Sequence, residues 1–96
     1  MEPSHPVGPT QLNAASTDLA KHVAAAEQAK RTGNHLRQIA EADAALQVDA
    51  HNVRARLLIA DGLIATGSVD SGCKYLRGLT VAVARNLAQS AHCPSD

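Results

Sequence analysis

Apolar residues recur at helical spacing from Leu12 to Ala91, and no run alternates strictly with period two as a strand would. The first set, Leu12, Leu19, Val23, Ala26 and Ala29, ends at Arg31-Thr32-Gly33-Asn34. Basic residues followed by Gly make a C-terminal stop, because Gly accepts the left-handed conformation that closes a helix. Ser16, Thr17 or Asp18 offers a start, and Thr10 serves if the helix extends backwards. A second helix is expected from about Leu36 to Val48, carried by Leu36, Ile39, Ala42, Ala45 and Leu46. It stops in Asp49-Ala50-His51-Asn52. Asn52 caps a third helix through Val53, Leu57, Ile59, Ala60, Leu63 and Ile64, which ends at Ala65-Thr66-Gly67-Ser68. A fourth begins near Ser68–Asp70 and carries Cys73, Leu76 and Leu79. It either runs on through Val81, Ala84, Leu87, Ala88 and Ala91 or gives way to a separate cap. The expected fold class is all-α: antiparallel helical hairpins, about four to five helices, with a C-terminal capping helix.

All four prolines lie outside this pattern, at positions 3, 6, 9 and 94. Residues 1–9 therefore read as an extended or disordered leader, 10–93 as one helical domain and 94–96 as a tail. A chain of 96 residues has room for one domain and buries only ~60–65% of its unfolded surface.

The helix-ending glycines Gly33 and Gly67 lie 34 residues apart. At that offset Ala25 falls on Ile59, Ala26 on Ala60, Ala29 on Leu63, Ala42 on Leu76 and Ala45 on Leu79. Apolar meets apolar at every one, the mark of a stacked repeat. The segment from Asp49-Ala50-His51-Asn52-Val53 to Leu79 resembles a tetratricopeptide repeat, on Ile59-Ala60, Leu63, Gly67, Gly72, Leu76 and Leu79. The preceding copy carries Ala25-Ala26, Ala29, Gly33, Ala42 and Ala45-Leu46, and Ala50 stands where the family's inter-repeat Pro is usual. The repeats are placed at about 19–52 and 53–86. His22 and Arg56 occupy the family's bulky aromatic position, and Gln38 stands where a small residue is expected.

Composition sharpens this picture. Of 43 residues in the apolar class, 19 are Ala and 10 Leu, and Tyr75 is the one aromatic. Ala is the strongest helix former, but it gives little area to bury. Two repeats and a cap are marginal where about three repeats are the norm, so a second copy or a partner is expected to supply the missing area. Alanines 25 and 29 standing where the second copy has Ile59 and Leu63 make the first hairpin the weaker half. Six Arg to three Lys, with the alanine load, point to a GC-rich bacterial gene.

Nine Lys+Arg against nine Asp+Glu leave no basic excess, which argues against nucleic-acid binding. No apolar run approaches a membrane span, and the N-terminus lacks the basic and apolar regions of a secretory signal. Cytoplasmic localisation follows as the expectation. Cys73 and Cys93 make no disulfide framework and are read as two unpaired thiols, Cys73 as a small core residue.

No catalytic set emerges. None of His5, His22, His35, His51 and His92 has a metal-ligand spacing to another His or Cys, so neither a metal nor a cofactor is expected. Glycines 62, 67, 72 and 78 fit no phosphate- or dinucleotide-binding pattern, and Gly62, Gly72 and Gly78 read as close helix approaches.

The resemblance implies instead a concave groove lined by the first helix of each hairpin. Its residues here are Ala20, Val23, Glu27, Lys30 and Arg31 from the first copy, and Arg54, Leu57, Asp61 and Ile64 from the second. Spacing alone puts Leu57, Asp61 and Ile64 on one face. That face suits a peptide helix, or else it packs against the terminal helix. Family members that clamp chaperone C-terminal carboxylates use Lys and Asn where this chain has Val23, Glu27 and Leu58, so that partner class is excluded. The expected function is a non-enzymatic adaptor that binds another protein, a peptide helix or its own copy. A secretion-type chaperone, a structural homodimer and a regulatory bundle acting through Cys73 are its rivals.

Overall fold

A computed structural model of the chain describes residues 7–94, and side chains from residue 17 onward. Five helices follow in order: α1 (Val7–Arg31), α2 (His35–Val48), α3 (Val53–Ala65), α4 (Val69–Leu76) and α5 (Ala82–Ser90). The described residues hold no strand. α1 packs on α2 and α3 on α4 as hairpins, α2 joins the two pairs, and α5 packs on α4.

The turns show why the helices stop where they do. After α1, Gly33 adopts φ +78° and the Asn34 amide donates to the Ala29 carbonyl at 2.8 Å. After α3, Gly67 adopts φ +94° and the Ser68 amide donates to the Leu63 carbonyl at 2.8 Å. Thr32 and Thr66 add equivalent hydroxyl bonds, to Ala29 and Leu63, each 3.1 Å long. The 34-residue offset therefore holds in the turn hydrogen bonds as well as in the apolar positions. Asn34 and Asn52 cap α2 and α3 by accepting from the Arg37 and Ala55 amides.

The boundaries differ from expectation at both ends. Val7, Gly8 and Pro9 belong to α1, since a proline in a helix's first turn gives up an amide that has no partner there. Residues 1–6 of the expected leader and 95–96 of the tail lie outside the described residues. The fourth helix ends at Leu76: Arg77 is extended and Gly78 takes φ +84°, so Leu79 lies in a connector. Residues 82–90 form a separate helix.

The core is small and aliphatic. One cluster gathers Ala26, Ala42, Leu58 and Ile59, and a second gathers Ala60, Leu76 and Ala84; Tyr75 packs against both. The small residues sit where helices approach closely. A Cβ on Gly62 would lie 2.8 Å from Ile39 Cγ1, and one on Gly72 would lie 2.7 Å from Ile64 Cγ1 and 3.0 Å from the Ala60 carbonyl oxygen. Gln38, set where a small residue was expected, is fully buried beside Gly62. Its Nε2 donates to the Leu58 carbonyl at 2.8 Å and to Asp61 Oδ2 at 2.9 Å. Its Oε1 lies 2.9 Å from His35 Nδ1.

The reading of Cys73 and Cys93 as unpaired thiols is corrected. They form a disulfide, with their Cα atoms 5.5 Å apart. The cause is the turn after α5. His92 adopts φ +59° and the Cys93 amide donates to the Ala88 carbonyl at 2.8 Å, the bond that Asn34 and Ser68 make after α1 and α3. That turn folds Cys93 back onto the second cluster instead of releasing it as tail. A bundle acting through a free Cys73 thiol is overturned with it.

Candidate functional site: a cleft between the odd-numbered helices

A cleft of about 580 Å³ opens between α1, α3 and α5. From α1 come Glu27, Lys30 and Arg31, from α3 Arg54, Leu57, Leu58 and Asp61, and from α5 Val83, Asn86, Leu87 and Ser90. Six of the nine groove residues named from sequence thus share one hollow: Glu27, Lys30, Arg31, Arg54, Leu57 and Asp61. Ala20, which is exposed, Val23 and Ile64 do not line it. Val23 packs on the first core cluster, and Ile64 on the second, against Gly72. The helical period carries both round to the hairpin interior, where the partner helix covers them.

The alternative fate of this face is realised in part. Leu57 packs against the cluster that holds Ala84 of α5, while it also lines the cleft. The terminal helix thus closes one side of the groove and leaves it open. Sequence reasoning missed the α5 wall, and Leu58 on the floor. Val83 and Leu87, four apart on one face of α5, were the available signal.

Charge is distributed unevenly round the opening. Arg54 forms an ion pair with Glu27, which ties α3 to α1 across the cleft. Asp61 is engaged by Gln38 from below. Lys30 and Arg31 are exposed, and neither is in the ion pairs formed among the described residues. The cleft thus offers an aliphatic floor of Leu57 and Leu87, an exposed Val83, and two uncommitted cations at the end of α1.

None of the four described histidines lines the cleft: His22 lies against Glu41 of α2 at 2.8 Å, His35 against Gln38, and His51 and His92 are exposed in turns. Among the described residues, no three His, Cys, Asp or Glu side chains gather as metal ligands, and no helix is long and apolar enough to cross a membrane. A second hollow of about 640 Å³ lies among α2, α3 and α4, around Ile59, Leu63 and Tyr75. No family model, curated protein or solved structure matches the chain.

Proposed function

We propose that the chain is a tetratricopeptide-like protein-interaction module, without catalysis, that receives an amphipathic helix of another protein in the cleft between α1, α3 and α5. The observation that carries the reading is the cleft itself, where an aliphatic floor runs beside the uncommitted cations Lys30 and Arg31. An apolar stripe at i, i+4 and i+7 would bury against Leu57, Val83 and Leu87, and acidic residues on one flank would meet the cations. The 34-residue equivalence of the two inter-helix turns supports the family reading.

The test is fluorescence anisotropy with two labelled helical peptides that share a leucine stripe, one flanked by Glu and one by Lys. The Glu-flanked peptide should bind, and more weakly as salt rises. Replacing Arg54 and Leu57 together by Glu should abolish binding while the circular dichroism stays helical. Equal binding of both peptides, or binding untouched by the double substitution, sinks the proposal.

A homodimer is the second reading, favoured by Leu36, which is 76% exposed on α2. It requires an unfolding midpoint that rises with protein concentration. As for compartment, the Cys73–Cys93 bond supports an oxidising environment over the cytoplasm, because reducing cytosols keep such thiols open.

A further inference from the structure

We infer that the Cys73–Cys93 disulfide is a redox latch on the cleft: it holds α5 in place as the third wall, and its reduction undocks that helix. The inference rests on the cleft being the binding site proposed above, but the undocking is read without any ligand.

The grounds are how little else holds α5. It is nine residues long, below the ~12–15 at which an isolated helix begins to persist in water. No side chain caps its start. Its one fully buried residue is Ala84, with Leu87 and Ala88 half-buried beside it. The connector from α4 runs through extended Arg77 and left-handed Gly78, so α5 does not continue the α4 rod. Against these weak ties stands one covalent bond between the buried face of α4 and the turn that ends α5. The bond is also reachable. Cys73 is 8% exposed, but Cys93 is only half-buried, so Cys93 Sγ is the sulfur a thiolate can approach.

The reductant is a dithiol. One of its thiolates attacks Cys93 Sγ, the Cys73–Cys93 bond breaks, and Cys73 leaves as a thiolate that takes up a proton. The second thiol then attacks the mixed disulfide, releasing Cys93 as a thiol and the reductant as its cyclic disulfide. Two electrons and two protons pass to the protein. Freed of the bond, α5 withdraws Val83, Asn86, Leu87 and Ser90 from the cleft, which becomes the bare face of α1 and α3. By linkage, an occupant that needs the α5 wall makes the disulfide harder to reduce by the factor that reduction costs its affinity.

Hydrogen exchange on the full chain, oxidised and then treated with dithiothreitol, tests the latch. Amides of residues 86–91 should lose protection by at least about ten-fold, while those of α2 and α3 stay protected. The Cys73→Ala/Cys93→Ala variant should reproduce the reduced pattern without reductant. Unchanged protection in α5 overturns the inference. So does loss across all helices, which makes the disulfide a staple of the whole fold. The Glu-flanked peptide, bound to oxidised protein, should be released on reduction with a Kd about ten-fold higher; an unchanged Kd overturns the coupling. If that peptide fails to bind oxidised protein, the interaction reading fails, and exchange in α5 still decides whether the latch exists.

Discussion

Arg56 repeats the reach of His22 thirty-four residues further along the chain. His22 Nδ1 on α1 meets Glu41 Oε1 on α2 at 2.8 Å, and Arg56 Nε on α3 donates to the Tyr75 carbonyl on α4 at 3.1 Å. Glu41 and Tyr75 are themselves thirty-four apart. Both residues are polar, so each hairpin is tied by a polar bridge. The partners differ because the second helices differ in length. α2 continues to Val48, so the Glu41 carbonyl has an amide four residues on, whereas α4 stops at Leu76 and leaves the Tyr75 carbonyl without one.

Arg56 therefore completes the C-terminus of α4 from a neighbouring helix, and its charge opposes the negative end of the helix dipole. Replacement by Met, which keeps the aliphatic stem, should cost about 1–2 kcal/mol, seen as a lower urea midpoint with unchanged m-value. His22→Ala removes a bridge whose histidine side chain is 37% exposed and whose loss strands no helix-end carbonyl, and should cost less than about 0.5 kcal/mol. Equal losses would show that the helix end is satisfied by water.

Gly72 and Gly62 make a paired test of close packing. At Gly62 the crowding atoms are the side chains of Ile39 and Gln38, whereas at Gly72 they include the fixed backbone oxygen of Ala60. Overpacking costs ~1–3 kcal/mol, while Gly→Ala within a helix gains ~1 kcal/mol. Gly62→Ala should thus be nearly neutral, and Gly72→Ala should lower stability by about 1–2 kcal/mol. Thermal melts of the two variants decide it; the reverse order would show that α4 shifts to admit a methyl group.

The helices, their order and the glycine stops were legible because periodicity and capping are local properties. Thr32-Gly33-Asn34 and Thr66-Gly67-Ser68 state their turn chemistry outright. The disulfide was not legible, and that failure comes from His92. A left-handed residue that is not Gly carries no sequence flag, so the turn that returns Cys93 to α4 read as the start of a tail. Val23 was placed in the groove by the resemblance and Ile64 by the resemblance and helical spacing together, and spacing gives a face but not its width. Which side of each residue a neighbouring helix covers is set by hairpin packing, as Gly72 against Ile64 shows.

Gln38 joins the core to the cleft, since its amide spans the Leu58 carbonyl and the carboxylate of Asp61. Gln38→Ala should cost about 2–3 kcal/mol, by opening a cavity beside Gly62 and stripping Asp61 of a donor. It should also change peptide binding, because Asp61 then faces the cleft with its charge less engaged. A weaker grip on the Glu-flanked peptide in a variant that still folds is the expected anisotropy result. An unchanged Kd would separate Asp61 from recognition.

The two hairpins should open at different free energies. Where α3 presents Ile59 and Leu63, α1 presents Ala25 and Ala29 at the equivalent places, and each Ala forgoes about 0.8 kcal/mol per buried CH₂. α3 is also flanked by α1, α2 and α4, whereas the described part of α1 packs chiefly on α2 and less on α3. Native-state hydrogen exchange in oxidised protein should find the slowest amides in α3, around residues 59–63, exchanging only by global unfolding. Amides of α1 around residues 22–29 should exchange through an opening about 1–2 kcal/mol less costly. Ala29→Leu adds bulk on the α1 side: if space remains there, it raises α1 protection towards that of α3, and if the packing is already full, it destabilises the whole chain. Equal protection of the wild-type helices would mean that the fold opens as one unit despite its alanine half.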